Sequence, residues 1–236
     1  ERVAYGAGMP KEIQEDFGER FGLEIFELYG STEQGVVAMS SRGSSKIGTC
    51  GKPVADVEME IHDPEGGRCP TGVVGEIVVR NSDPGIFFDG YHGMPQATIE
   101  VWRDLWFRTG DAGFVDEEGY LTFTGRLTDS IRRRGENISA WEVERVLVEH
   151  SDVDEVAVFG VPSDLGEEEV MAVVVGDGLN LQDLWEFATR KLPGYAVPRY
   201  MRLQGELPKT PTGRVQKHQL TGVDGETSEW TPGLSR

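Results

Sequence analysis

Residues 29–35 read Tyr-Gly-Ser-Thr-Glu-Gln-Gly, placing backbone freedom, two hydroxyls and a carboxylate side by side. Gly30 lets the chain turn, and Ser31 and Thr32 can offer hydroxyls and main-chain N–H groups to an anion. Glu33 can hold a divalent cation that shares a phosphate, and Tyr29 supplies a flat face on which a purine can stack. Taken alone, the run is also what an ordinary turn looks like. "FRTGDAG" sets Asp111 just after a Thr-Gly turn. A lone carboxylate there can chelate two neighbouring hydroxyls, as on a ribose, or simply cap the turn. "TGRLTDSIRRRGEN" gathers Arg126, Arg132, Arg133 and Arg134, which suits either a phosphate-facing hinge or a solvated linker. Finally, "LPKTPTGRVQKH" is a basic loop whose prolines fix its shape before Arg214, with Lys209 and Lys217 as its other cations.

These runs must be held by regular elements. Ile13, Phe17 and Phe21 recur at helical spacing in "KEIQEDFGERF", with Pro10 suited to a first turn. "LEIFELYG" reads as a buried strand entering the "YGSTEQG" loop. "DVEMEIH" alternates, with Val57, Met59 and Ile61 on one face, and "GEIVVR" is a second strand after a "DPEGG" turn. "GFV" and "YLTFTGR" flank "DEEG" as a hairpin with a four-residue turn. Short strands with frequent glycines predict a small β-barrel or curled sheet over 46–126. Beyond it, Ser139 and Glu142 form a capping box before a helix bearing Val143, Val146, Leu147 and His150 on one face. "VDEVAVFGV" and "EVMAVVV" are strands, and "NLQDLWEFATRKL" is a helix with Leu181, Leu184, Trp185, Ala188 and Leu192 in register.

The chain of 236 residues has 41 acidic against 23 basic side chains, a formal net charge of −18. Such a field repels nucleic acid and anionic membranes, so neither is an expected partner, and no apolar run is long enough for a membrane span. Cys50 and Cys69 give no disulfide framework or zinc spacing, which fits a reducing cytoplasm, and the four histidines form no ligand cluster. "ERVAYGAGMP" has neither an initiator Met nor the pattern of a signal peptide, so a fragment or processed product is expected.

In their order and spacing, the four chemistry-bearing runs resemble the later signature motifs of the adenylate-forming enzymes, over residues 1 to about 220. That superfamily comprises acyl-CoA synthetases, the adenylation domains of peptide synthetases and beetle luciferases; the nearest flavour resembles the AMP-forming acyl-CoA ligases of carnitine/crotonobetaine or fatty-acid type. The resemblance implies an α/β and α+β multi-domain fold. Residues 1–45 would end a large α/β lobe, 46–126 form a distorted β-barrel subdomain, 127–220 a mobile α+β domain, and 221–236 a polar, frayed tail. Tyr29 would stack on adenine, Glu27 meet its amine, and Gly6, Ala7 and Gly8 border the base and the acyl pocket. Gly30, Ser31 and Thr32 would serve phosphate, Glu33 Mg²⁺, and Asp111 with Arg126 the ribose, with Phe123 near the base. Thr128 falls on the hinge, Arg134, Gly135 and Glu136 border CoA, and Arg214 sits on the catalytic lysine position. ATP, Mg²⁺, a small-molecule carboxylic acid and CoA as co-substrate follow as ligands.

Three departures accompany the resemblance. The family's Ser/Thr/Gly-rich phosphate loop and most of its acyl pocket are not found in these residues. The chain alone is therefore expected to be inactive in adenylation, with the N-terminal portion of the same enzyme as its partner. Thr128 stands where Asp or Lys is usual. Arg214 replaces a lysine, keeping charge but not geometry, and Lys217, three residues away, could substitute only if the loop shifted register. The rival readings are an adenylation domain serving a carrier protein, whose serine signature does not follow the basic loop, and a degenerate fragment that binds nucleotide or a partner without chemistry.

Overall fold

The structure, a computed structural model, describes residues 2–9, 11–83, 85–163, 166–211, 213–220 and 227–230. They divide into two units, Glu1–Leu127 and Thr128–Arg236. In the first, β1 (Arg2–Gly6), α1 (Lys11–Phe21), β2 (Leu23–Ser31), β3 (Gly35–Met39) and β4 (Lys52–Pro53) build one sheet in the order β1-β2-β3-β4. β1 runs parallel to β2, a pairing that needs a crossover, and α1 supplies it. The sequence reading began with the helix and missed β1, a short strand whose residues are mostly exposed. Pro10 lies outside the described residues. α1 meets β2 along its Gly18 side, where an added Cβ would stand 3.0 Å from the Leu23 carbonyl oxygen. Its Ile13–Phe17–Phe21 stripe therefore remains exposed.

The β2–β3 hairpin turns sharply at residues 32–34. At Gly30 a Cβ would lie 2.0 Å from the carbonyl oxygen of Gly35, so a side chain has no room there. "YGSTEQG" is thus less a loop than the closed end of a hairpin, with Gly30 and Ser31 still paired to Val36 and Gly35.

A curled sheet follows, from β5 (Val57–His62), β6 (Gly75–Asn81), β7 (Trp102–Arg103), β8 (Trp106–Val115) and β9 (Leu121–Arg126), with the short helix α2 (Pro95–Glu100) before β7. Its order is β5-β6-β8-β7, and β9 also pairs with β8. Irregular register at Glu76/Val78 and Ala112/Gly113 bends the sheet. Val57, Met59 and Ile61 pack on the expected face, around Tyr29, Val37, Ile77, Val79, Phe107 and Leu121. The β8–β9 connection spans residues 116–120, five rather than four, because the Asp116 carboxylate accepts the N–H groups of both Glu118 and Tyr120.

In the second unit, β10 (Ser130–Arg133) and β11 (Glu136–Ser139) form a hairpin before α3 (Ala140–Val148). Both turn residues have positive φ, Arg134 at 53° and Gly135 at 84°, the signature of a type I′ turn. β12 (Glu155–Pro162), β13 (Glu168–Val175), β14 (Tyr200–Leu203) and β15 (Ser228–Glu229) form a sheet in that order, with α4 (Leu181–Lys191) as the crossover between the parallel β13 and β14. Val143, Leu147, Leu184, Trp185 and Ala188 bury against Val158, Val170, Ala172, Val174 and Met201. Ser139 caps α3 by accepting the Glu142 N–H at 3.3 Å, and His150 lies past its end, edge-on to Phe187. β15 and Trp230 dock on β14, so this part of the expected tail belongs to the sheet; 221–226 and 231–236 lie outside the described residues. The α/β and α+β multi-domain class expected from the sequence is the one observed, and among the described residues no helix is long and apolar enough to cross a membrane.

Candidate nucleotide site

Two hairpins of the first unit bring Tyr29, Asp111, Phe123 and Arg126 together. Tyr29 lies on β2, packs its ring against Phe123 at 6.1 Å between centroids, and donates its hydroxyl to Asp111 Oδ2 at 2.8 Å. Across the β8–β9 ladder, Asp111 is paired with Arg126, whose Nε stands 3.3 Å from Oδ1. Burial and the Asp111 charge push the Tyr29 phenol far up, so it is a permanent donor at neutral pH. The ring is 8% exposed, and the group it turns toward the carboxylate is its hydroxyl.

Glu33 sits at the hairpin tip beside the exposed Thr32. Its Oε2 accepts the Ser31 hydroxyl at 2.7 Å and its Oε1 the Tyr91 hydroxyl at 3.0 Å. Those donors, the Ser31 hydroxyl first, hold its carboxyl below the usual value, so it is ionised. Hard divalent cations take such oxygens, and Mg²⁺ commonly uses one or two carboxylates with phosphate and water. Among the described residues no group of three or more His, Cys, Asp or Glu could hold a metal. Glu27, buried on β2, accepts the N–H groups of Gly8 at 3.0 Å and Met9 at 3.2 Å. It thereby fixes the small-residue segment Gly6-Ala7-Gly8, which begins at the last residue of β1; burial raises its carboxyl and the two N–H bonds oppose the rise.

Sequence reasoning passed over Tyr91 and Glu76. Tyr91 reaches Glu33 from 58 residues away, in a segment without period or motif of its own. Glu76, second in β6, has the look of an ordinary polar residue, yet it is buried against Arg108 and the Gly110 N–H.

The second unit carries the remaining expected residues. Thr128 is exposed in a single 3-10 turn, Leu127–Asp129. Arg134 and Gly135 form the exposed tip of the β10–β11 hairpin and Glu136 begins β11. The arginine cluster separates by role. Arg133 is a buried strut that donates to the carbonyls of Tyr195 and Val197 and pairs with Glu169 at 2.5 Å, whereas Arg132 is exposed against Asn137. Arg214 is exposed on its loop, held by main-chain bonds to Thr210; Thr212 lies outside the described residues. Lys209 pairs with Glu155 at 2.6 Å, and Lys217 is half-buried between Asp129 at 3.2 Å and Glu144 at 2.8 Å. Lys217 is thus committed elsewhere and would have to break two ion pairs to substitute for Arg214.

The first unit thus holds a carboxylate oriented by a phenol and a guanidinium, and an ionised carboxylate at a hairpin tip. The family model for the AMP-binding enzyme matches residues 2–92 and that for the AMP-binding enzyme C-terminal domain matches 142–214. The chain belongs to the AMP-binding enzyme family, on its acyl-CoA synthetase side. Crotonobetaine/carnitine–CoA ligases of Salmonella arizonae and Proteus mirabilis are each 32% identical over 224 residues, 92% of this chain and 43% of theirs. The chain spans about two fifths of the length of the curated relatives it matches. Among solved structures, o-succinylbenzoate CoA synthetase from Bacillus subtilis with its acyl-adenylate intermediate is 28% identical, with a TM-score of 0.86 over 94% of this chain and 46% of that one. ATP-bound MatB from Rhodopseudomonas palustris is 30% identical, with a TM-score of 0.82 over 92% and 44%.

Proposed function

We propose that this chain is the C-terminal part of an AMP-forming acyl-CoA ligase, holding one side of the nucleotide site and the mobile domain. The reaction joins a carboxylic acid to ATP, forming acyl-AMP and pyrophosphate, after which the thiol of CoA displaces AMP. The observation that carries this reading is Asp111, buried and aimed by Tyr29 and Arg126 as a carboxylate for two vicinal hydroxyls would be. In this reading Asp111 and Arg126 bind the ribose, Tyr29 and Phe123 border the base, and Glu27 shapes the segment Gly6-Ala7-Gly8 beside it. Gly30, Ser31 and Thr32 turn the hairpin tip to the phosphates. Glu33 would hold Mg²⁺, which when bound neutralises phosphate charge. Arg214 supplies a fixed cation to the developing charge of the first half-reaction. Arg134, Gly135 and Glu136 border CoA in the second, and Thr128 is the point about which the small domain turns. Residues 1–45 and 46–126 serve as the end of the large lobe and its β-barrel subdomain, and 127–220 as the mobile domain.

A second reading, nucleotide or partner binding without adenylation, draws on arginine at position 214, because a planar fork does not replace an ammonium geometrically. Calorimetry of this chain with AMP tests the half-site. Exchange of pyrophosphate into ATP by the polypeptide that carries it, across a panel of carboxylic acids, tests the reaction. Acid-dependent exchange is expected, and its absence with AMP binding intact selects the second reading.

A further inference from the structure

We infer that Glu76 is a positioning residue for Asp111, bracing the bulge that aims this carboxylate at the ribose; the inference rests on the ribose reading above. Between β6 and β8 the ladder pairs Val78 with Arg108 and then Glu76 with Ala112. Three residues, Thr109, Gly110 and Asp111, thus stand opposite Ile77 alone, and Gly110 takes a left-handed φ of 70°. Such an insertion loses its ladder bonds and must find others, and it re-aims the side chains it carries.

Side chains supply those bonds. Thr109 donates its hydroxyl to the Ile77 carbonyl at 2.6 Å and accepts the Asp111 N–H at 3.0 Å. Glu76 accepts the Gly110 N–H at 3.1 Å through Oε1, while Oε2 pairs with Arg108. Glu76 is 8% exposed, so its charge is placed at a cost that an exposed site would spare it. What it holds is the middle residue of the bulge, directly before Asp111. With Glu76 gone, the Gly110 N–H loses its acceptor, and a glycine backbone is free to swing the next residue out of line with Tyr29 and Arg126.

A purely stabilising role predicts equal losses for every ligand, whereas positioning predicts loss of discrimination at the ribose. The test is calorimetry of the chain with AMP and with 2′,3′-dideoxy-AMP. Two double variants, Glu76→Gln/Arg108→Met and Glu76→Ala/Arg108→Met, both remove the ion pair, but only the first keeps an acceptor for Gly110. Wild type should prefer AMP by about tenfold or more, the scale of one charge-assisted hydrogen bond. The glutamine variant should keep that preference and the alanine variant should fall to within about twofold while still binding. An alanine variant that keeps the preference overturns the inference, as does equal weakening of both nucleotides. If wild type itself does not discriminate, the ribose reading fails. Amide exchange without nucleotide gives an independent result: Gly110 and Asp111 should exchange faster in the alanine variant than in the glutamine variant, and equal protection overturns the inference.

Discussion

Replacing Tyr29 with Phe removes one oxygen and leaves the ring in place. The packing on Phe123 survives, so no cavity forms and the cost comes from the hydrogen bond alone. A bond to a buried charged group contributes about 1.5–3 kcal/mol. Here Arg126 stays 3.3 Å from the other carboxylate oxygen and softens the loss, though its partial exposure weakens that pair. The expected cost is therefore near the lower end, about 1.5–2 kcal/mol. Hydrogen exchange of β2 and β8 amides reads this unit directly, and those that open with the whole unit should exchange about ten to thirty times faster. The same substitution separates two roles for the residue. If the ring serves adenine by stacking, the Tyr29→Phe variant binds AMP as well as wild type does. If the hydroxyl aims Asp111, AMP weakens by about tenfold and dideoxy-AMP does not. Unchanged exchange together with unchanged AMP affinity would refute the reasoning.

Three further outcomes follow from local geometry. Gly30→Ala should destabilise the first unit by about 2–4 kcal/mol, because the new methyl meets hairpin backbone that cannot swing aside; a thermal midpoint equal to wild type would be incompatible with that contact. Arg134→Asn should stabilise the second unit by about 0.5–1 kcal/mol in denaturant melts, since Asn-Gly accepts the two positive φ angles that Arg-Gly resists; under the proposed function it should also raise the KM for CoA. Burial raises the carboxyl of Glu144 despite Lys217, so the folded chain holds that proton to higher pH than the unfolded chain does. Stability from this group is then present below about pH 4.5 and declines as pH rises through the folded value. Melting midpoints taken across that window should show wild type losing ground to Glu144→Gln as pH rises, and a parallel pair of curves would contradict it.

What was legible in the sequence was whatever depends on neighbours a few residues apart. The two helices of the second unit could be read because Val143 and Leu147, or Leu184 and Ala188, repeat at the period of a buried helical face. The curled sheet was legible from the alternation of Val57, Met59 and Ile61. β1 was not, since an exposed strand has no inward face to pattern and owes its form to β2, reached across α1. At the site, Tyr29 and Asp111 stood out by chemical type, but their bond spans 82 residues and no local pattern announces it. Glu76 and Tyr91 escaped for the same reason. Arg133 shows the opposite failure: amid other arginines it looked like part of a phosphate-facing cluster, and burial against Glu169 made it a strut.

Lys209, Arg214 and Lys217 illustrate how a charged segment divides its labour. In a chain of net charge −18, a lysine near the surface readily finds a carboxylate, and Lys209 and Lys217 both have. Each such pair neutralises the cation as seen by an incoming anion, so neither contributes much local field. Arg214 differs: it is exposed, and among the described residues no carboxylate pairs with it. Lys217 ties the end of the segment to Asp129, next to Thr128, and to Glu144 on α3, which fixes the base of the loop while leaving its tip presented. The positive charge of Lys209 and Lys217 is therefore mostly internal scaffolding, and among these three cations the one left exposed without a carboxylate is the Arg214 guanidinium. Under the proposed function, Arg214→Ala should therefore not be masked by Lys217, whose ammonium is held by Asp129 and Glu144.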